Sequence, residues 1–518
     1  MAGCANVPSM TKAIDPEVKK YIGVLFEVLG GGVSLAEENG LEVHSPTDGN
    51  LLASIVADTP RSVKEKANAA RAAQEIWAAR KRTDRVALIE ALAANIREQR
   101  EPLATLITLE AGKTLKEAYV EVDGSADILL KTIKDSSLPE LNGMLRTKER
   151  PPVGLVGLIT SFNFPLVVAN WNMGAALLAG NAVLWKPSEK TPLVAVAYRL
   201  VFNKIAGAHT DLLQMVIGGR DVGEALVACE EVDMISATGS VAMGKGIKQT
   251  LAKKYNKGVK HILELGGNNG VIISEKTSQG HRQWAVKALL NSFFGTAGQR
   301  CTNTRRVFIH RSVYDEVCEF FKSQVDSFVS SGVIVNPLVG ESNEYGYGPL
   351  IDGDAYRRMD KAMRFVEAQG GLAVGGSRLL KEEYPQAYYV EPALAFLPSQ
   401  TGVMHEETFA PLLFLVPYDG GVDEAIALIN EPANAGLVSA IYTQNQAEAD
   451  RFAQQSQAGH ILINSAKGTG TPAHGMGFGG NKDSGEGEIL NSADPLQQFT
   501  RDGHFSRIAQ NKDIKMNA

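Results

Sequence analysis

The sequence predicts an α/β protein built on doubly wound parallel sheets, and three observations predict it. Between Val153 and Asn464, short and almost wholly apolar runs alternate with amphipathic stretches of helical period, the pattern of parallel strands buried on both faces and joined by crossover helices. Glycine-rich turns follow several of those runs, where open α/β sheets bind ligands. A length of 518 residues exceeds what one hydrophobic core usually serves, so two or three domains are expected.

Taken in order, residues Ser62 to Ile133 have helical period: in Ser62 to Arg82 and Arg85 to Leu103, Ala, Leu and Ile recur three and four apart among Lys, Arg and Glu. Pro, Asn and Gly break that period in Pro139 to Pro151, which predicts a protruding excursion. Strands are then expected at Val153 to Thr160, Ala182 to Lys186, Leu213 to Ile217, Met234 to Thr238 and His261 to Leu265. A second series follows: a loop from Ser274 to Gln283, a helix over Val286 to Phe294, a strand at Arg305 to His310, a helix over Val313 to Ser330, and strands near Leu412 to Val416 and His460 to Asn464. The segment Gln497 to Ile508 alternates polar and apolar residues like an edge strand. No internal repeat or low-complexity segment appears.

Val153 to Trp185 holds no charged residue and is long enough to cross a bilayer. Pro165, several glycines and Asn163, Asn170, Asn172 and Asn181 argue against a lipid-facing helix. The run divides instead into a strand, a turn at Phe162-Asn163-Phe164-Pro165, a helix over Leu166 to Ala179 and a second strand, so no membrane is expected. A formal charge of -6 offers no basic field for nucleic acid. Cys4, Cys229, Cys301 and Cys318 are scattered, which indicates neither a disulfide framework nor a metal site and fits a reducing, cytoplasmic setting. No apolar stretch precedes Cys4, so the start MAGCANVPSMTK reads as a loose tail without signal peptide or lipid anchor.

The chemistry concentrates in two segments. Cys301 lies in Gly295-Thr296-Ala297-Gly298-Gln299-Arg300-Cys301-Thr302, bracketed by small residues, with Arg300 beside it to favour the thiolate. Glu264 opens Glu264-Leu265-Gly266-Gly267-Asn268-Asn269, where a Gly-Gly turn lets a carboxylate swing. A thiol and a mobile carboxylate can form an acyl-thioester and hydrolyse it with an activated water. A lone cysteine in a Gly-rich turn is more often a small buried hydrophobe.

These residues resemble the aldehyde dehydrogenase family over nearly the whole chain, and GTAGQRCT with ELGGNN resembles its α-aminoadipic semialdehyde dehydrogenase (antiquitin-like) branch. The resemblance implies the family's fold: a Rossmann-like NAD-binding domain (20–138 and 152–273), an α/β catalytic domain (274–483), and a β-flap oligomerisation element (139–151 and 484–510) that makes a homo-oligomer, dimer or tetramer. It also implies NAD-dependent, non-acylating oxidation of an aldehyde, in which Cys301 attacks, Glu264 activates the hydrolytic water and Asn163 donates to the oxyanion. Asn163 equally suits the cap of the following helix.

For NAD the resemblance points to Thr160, Lys186, Glu189, Gly239, Ser240, Gly244, Leu265, Glu407 and Phe409. A carboxylate at Glu189 would repel a 2′-phosphate, so NAD is expected over NADP. Taken alone, Lys186 and Glu189 are a solvated ion pair, GSxxxG at 239–244 is a weak signal, and Glu406 to Pro411 is an acidic turn. Phe162, Trp171, Arg300, Thr302, Lys467 and His474 are expected around the substrate, with Phe294 as a further apolar wall. The branch carries a second glutamate in an EVxE segment that here reads Glu121-Val122-Asp123-Gly124, so its amine-binding carboxylate is missing. An aldehyde with an acidic or semialdehyde tail is the expectation; α-aminoadipic semialdehyde itself and a broad range of apolar or aromatic aldehydes are alternatives, as is an internal salt bridge for Arg300. A catalytically retired member serving as a binding protein would lack the combination Cys301, Glu264, Asn163 and Lys186.

Overall fold

The computed structural model describes residue 23 and residues 40–136, 150–254, 259–332, 334–338, 346–431, 434–470, 478–486 and 495–501. Two sheets organise it. The first runs, in spatial order, Gly485–Glu486, Lys260–Glu264, Met234–Thr238, Leu155–Ile159, Ala182–Lys186 and Leu213–Met215; all neighbours are parallel except the short first strand. The second runs Leu372–Gly375, Ala393–Phe396, Leu412–Tyr418, Thr304–His310, Asn269–Ile273, Val438–Tyr442 and His460–Ile463, parallel but for its first pair. The chain leaves the first sheet after Glu264 and enters the second at Asn269, so the crossing is the Leu265 to Asn268 turn, a few residues before position 273.

Each sheet has its own core, because strands buried on both faces need helices on both. Helices Pro60–Ala78, Arg82–Glu98, Arg100–Ala111 and Leu115–Ser136 pack with the first sheet around Trp77, Leu177, Trp185 and Phe202. Helices Tyr314–Ser330 and Gly353–Ala368 cover the second, around Phe293, Phe308, Tyr347 and Phe414. Phe294 lies inside this second core, stacked on Phe328 at 4.3 Å, so it is a core residue and not a substrate wall. The helix that ends on it begins at Gln279, capped by Ser278, which absorbs half of the stretch expected as a loop.

Two carboxylates cap helices from a distance. Glu110 accepts from Leu193 N and Val194 N at 2.6 and 2.8 Å at the start of Pro192–Ala206, and burial raises its pKa to about 8. Glu121 accepts from Leu166 N at 2.9 Å and Val167 N at 3.3 Å, at the start of Val167–Leu178. The cap of that helix is therefore Glu121 and not Asn163. Where an edge strand was expected, Gln497–Phe499 forms a single 3-10 turn; Thr500 pairs antiparallel with Pro152, and Arg501 N donates to Pro151 O at 2.8 Å. Of the rest of the expected flap, Gly485–Glu486 pairs antiparallel with Lys260–Glu264 at the edge of the first sheet, and residues 139–149, 487–494 and 502–510 lie outside the described residues.

Candidate active site

Four strands of the first sheet end side by side, presenting Thr160, Lys186, Thr238 and Glu264. The crossover direction reverses between Leu155–Ile159 and Met234–Thr238, the switch point where open α/β sheets leave a crevice. On one side of it, Thr160 Oγ1 accepts from Trp185 Nε1 at 2.9 Å. The Lys186 side chain is only 6% exposed and donates to Pro187 O and Glu189 Oε2 at 3.2 Å, while Glu189 is half-buried. On the other side, Gly239 N donates to Glu264 O at 3.0 Å, and Ser240 Oγ accepts from Met243 N at 3.2 Å, opening helix Val241–Lys254 toward the crevice. A Cβ on Gly244 would lie 2.4 Å from Leu265 Cδ1, so glycine lets that helix approach the turn after Glu264.

The loop carrying Cys301 belongs to the second sheet but packs Cys301 against the core of the first. Thr296, Ala297 and Gly298 occupy the left-handed region, with φ of 56, 52 and 70°. For Thr and Ala this costs roughly 1–3 kcal/mol each, and it persists where surroundings over-determine it. The surroundings here are dense. Asn303 Nδ2 donates to Phe293 O at 2.9 Å; buried Arg305 donates through Nη2 to Gly298 O at 2.6 Å and Arg300 O at 3.1 Å, and through Nη1 to Ala410 O at 2.9 Å. Asn269 Nδ2 donates to Cys301 O at 2.7 Å, and a Cβ on Gly267 would stand 2.6 Å from the same oxygen. Segment 264–269 and Cys301 are thus bound to one another.

Electrostatics differ from the expectation. The Cys301 thiol is pushed up to about 12, first by burial and then by Glu407 and Glu264, with Arg305 opposing. Arg300 does not hold it as thiolate: its guanidinium pairs with Glu117 at 2.9 Å and donates to Thr296 Oγ1 at 2.8 Å. The internal salt bridge is the observed alternative. Glu264 ends a strand and is buried, and burial holds its carboxyl well above the ordinary range, opposed by a backbone hydrogen bond from Gly480. Its Oε2 has no hydrogen-bond partner among the described residues. Glu407, turned against Gly267 N at 3.3 Å, is raised to about 7 by burial, with Arg305 opposing.

Asn163 Oδ1 accepts from Ser161 Oγ at 2.7 Å, which orients the amide so that Nδ2 donates to Gln299 O at 2.9 Å, two residues from Cys301. Phe162 meets Phe409 edge-on at 6.0 Å, and Phe409 has φ 53°. Trp171 stacks on Phe478 at 5.3 Å, with its Nε1 buried and without a partner among the described residues. Thr302 is buried and its carbonyl accepts from Thr469 Oγ1 at 2.8 Å, which joins the 465–470 loop to the nucleophile loop. Lys467 is exposed on that loop, and His474 lies outside the described residues. Sequence reasoning missed Glu117, Asn269, Arg305 and Thr469. Two arginines in an otherwise apolar strand were a usable signal for Arg305; nothing local marked Glu117.

This geometry can be set against known proteins. A model of the aldehyde dehydrogenase family matches residues 33–504. The chain belongs to the aldehyde dehydrogenase family. Among its relatives, "Aldehyde dehydrogenase family 7 member A1" of Pisum sativum is 32% identical over 89% of this chain and 90% of its own length, and the Bos taurus "Alpha-aminoadipic semialdehyde dehydrogenase" is 31% identical over 89% and 84%. Among solved structures, lactaldehyde dehydrogenase from Escherichia coli superposes with a TM-score of 0.79 at 28% identity, covering 90% of this chain and 94% of its own. Betaine aldehyde dehydrogenase from Staphylococcus aureus, solved in complex with NAD+, gives 0.80 at 25% identity, with 92% and 96% covered. This aldehyde dehydrogenase has the family's fold and is an NAD(P)-dependent oxidoreductase acting on aldehydes. Among the described residues, no helix is long and apolar enough to cross a membrane, and no cluster of His, Cys, Asp or Glu could hold a metal.

Proposed function

We propose that the chain oxidises an aldehyde to a carboxylic acid through a thiohemiacetal and then a thioester on Cys301, and releases the acid by hydrolysis. The observation that carries this reading is the fastening of the 264–269 segment to the nucleophile loop through Asn269 and Gly267, which keeps Glu264 and Cys301 in one crevice. In it, Cys301 loses its proton to solvent, its Sγ adds to the aldehyde carbon, and the Asn163 amide with the Cys301 N–H donates to the oxygen on which charge develops. NAD, when bound, supplies the hydride acceptor. The residues suit it: Lys186 and Glu189 would hold the adenosine ribose, the 239–244 turn at a helix N-terminus the pyrophosphate, and Glu407 the second ribose beside Phe409. Thr160 and Leu265 would line the same crevice. The Glu189 carboxylate, which would repel a 2′-phosphate, favours NAD over NADP. Glu264, desolvated and held above its ordinary range, takes a proton from water once the thioester has formed.

For the substrate we infer a semialdehyde, supported by the relatives' names and by Lys467 on the loop tied to Thr302. The commitment of Arg300 to Glu117 favours a second reading, a neutral aldehyde lying against Phe162 and Trp171. We further propose a homo-oligomer, dimer or tetramer, as the resemblance in sequence implies, in a cytoplasmic setting that the scattered cysteines fit. Two experiments test these readings. Glu264→Gln mixed with aldehyde and NAD should accumulate acyl-enzyme by intact-protein mass spectrometry, whereas Cys301→Ala should form none and show no turnover; a Cys301→Ala enzyme at full rate would refute the mechanism. Catalytic efficiencies for an acidic semialdehyde, its α-amino relative and a neutral aldehyde of equal length decide the tail, and preference for the neutral compound would overturn the semialdehyde.

A further inference from the structure

The nucleophile loop carries an ion pair that the proposed chemistry does not use. Glu117 stands in the first turn of helix Leu115–Ser136, and one of its oxygens, Oε1, accepts from Thr296 N, Thr296 Oγ1 and Arg300 Nη2, each at 2.9 Å. Arg300 Nε donates to Thr296 Oγ1 at 2.8 Å and closes the ring. The second oxygen, Oε2, accepts from Thr114 N and Thr114 Oγ1 at 3.4 Å, which anchors the carboxylate at the start of its own helix. The Arg300 and Glu117 side chains are 22% and 18% exposed, so the pair is poorly screened and holds one geometry. Beside it, Lys113 pairs with Glu121 at 2.6 Å and lies over Phe164, leaving the group of four charges balanced.

The residue seized by this carboxylate is the first of the three left-handed ones. Thr296 adopts a positive φ that a β-branched side chain avoids; its N–H and hydroxyl are both held by Glu117, and its carbonyl accepts from Gln299 N at 2.9 Å. Ala297 follows in the same region, and Cys301 is five residues beyond Thr296. Released from Glu117, Thr296 can relax toward negative φ and carry the approach to Cys301 with it.

We propose that Glu117 is a positioning residue for Cys301 and that Arg300 is its partner in that task, committed to the loop instead of to a substrate carboxylate. The proposal rests on Cys301 as nucleophile, but its primary readout needs no aldehyde: the rate at which iodoacetamide alkylates Cys301, followed by peptide mass spectrometry. Glu117→Ala should slow alkylation and lower kcat by about tenfold or more, with KM for NAD within about twofold of the parent. Glu117→Gln, which keeps an acceptor oxygen for Thr296, should fall between the two and covers the case in which the alanine variant folds poorly. Glu117→Ala combined with Arg300→Ala should be no worse than the poorer single variant, because both remove one coupled unit. Adding Thr296→Gly to Glu117→Ala should recover most of the loss, since glycine adopts positive φ without the latch; a residue that merely stabilised the helix would show no such rescue. Parent-like alkylation and kcat in Glu117→Ala, or a deficit undiminished by Thr296→Gly, would overturn the proposal. A parent enzyme that oxidises no aldehyde would count against the proposed function, while alkylation would still decide the latch.

Discussion

Gly298→Ala probes the joint between the nucleophile loop and the segment that carries Phe409. The new Cβ would lie 2.3 Å from Ala410 C, 2.4 Å from Ala410 O and 2.5 Å from Pro411 N. All three are backbone atoms, and Ala410 O is held by Arg305 Nη1, so no rotamer change relieves the overlap. Alanine at φ 70° adds a left-handed penalty of about 1–2 kcal/mol, and the forced backbone shift about 1–3 kcal/mol more. A loss of about 2–5 kcal/mol should lower the melting temperature by several degrees. Because displacement moves Cys301 and Phe409 together, kcat should fall by about a hundredfold and NAD binding should weaken in parallel. Thermal melts, steady-state kinetics and NAD titration measure the three effects. Gly280→Ala is the control: nothing lies within 4 Å of its Cβ, and alanine in helix Gln279–Phe294 should leave stability equal or higher. Gly298→Ala with parent melting temperature and kcat would refute the packing argument.

Other outcomes follow from the electrostatics. Since burial raises Glu264, its protonated form favours the folded state; that stability is complete below the ordinary carboxyl pKa of 4.5 and is lost as pH rises through the raised value. Glu264→Gln should therefore gain melting temperature relative to the parent as pH rises from 5 toward 8, and a constant gap would contradict the burial argument. With the Cys301 thiol pushed up to about 12, alkylation in the absence of NAD should climb about tenfold per pH unit from 7 to 10 without levelling; a plateau near neutral pH would show that the thiolate is stabilised after all. Glu189→Gln should narrow the preference for NAD over NADP in kcat/KM, and equal use of both cofactors by the parent would dispose of the carboxylate's role.

Local pattern alone placed the strands ending at Lys186, Thr238 and near Glu264, because apolar runs and the turns after them are properties of neighbouring residues. It also singled out Cys301 in a run of small residues and Glu264 before a Gly-Gly turn, whereas the role expected of Asn163 came from the family resemblance. Tertiary structure decided the partners. Arg300 adjoins Cys301 in the chain, yet Glu117, 183 positions away, holds its guanidinium, and it is Arg305 that faces the thiol. Asn163 sits where a cap would sit, but Glu121 reaches the helix N-terminus first. Phe294 looked like a pocket wall and is core, because helix Gln279–Phe294 turns it toward Phe328. The thiol's protonation followed the same rule: Arg300 next to Cys301 suggested thiolate, whereas burial beside Glu407 and Glu264 raises the pKa. Hydrogen-bond partners and desolvation depend on which segments the fold brings within a few ångströms, and those distances are absent from a linear pattern.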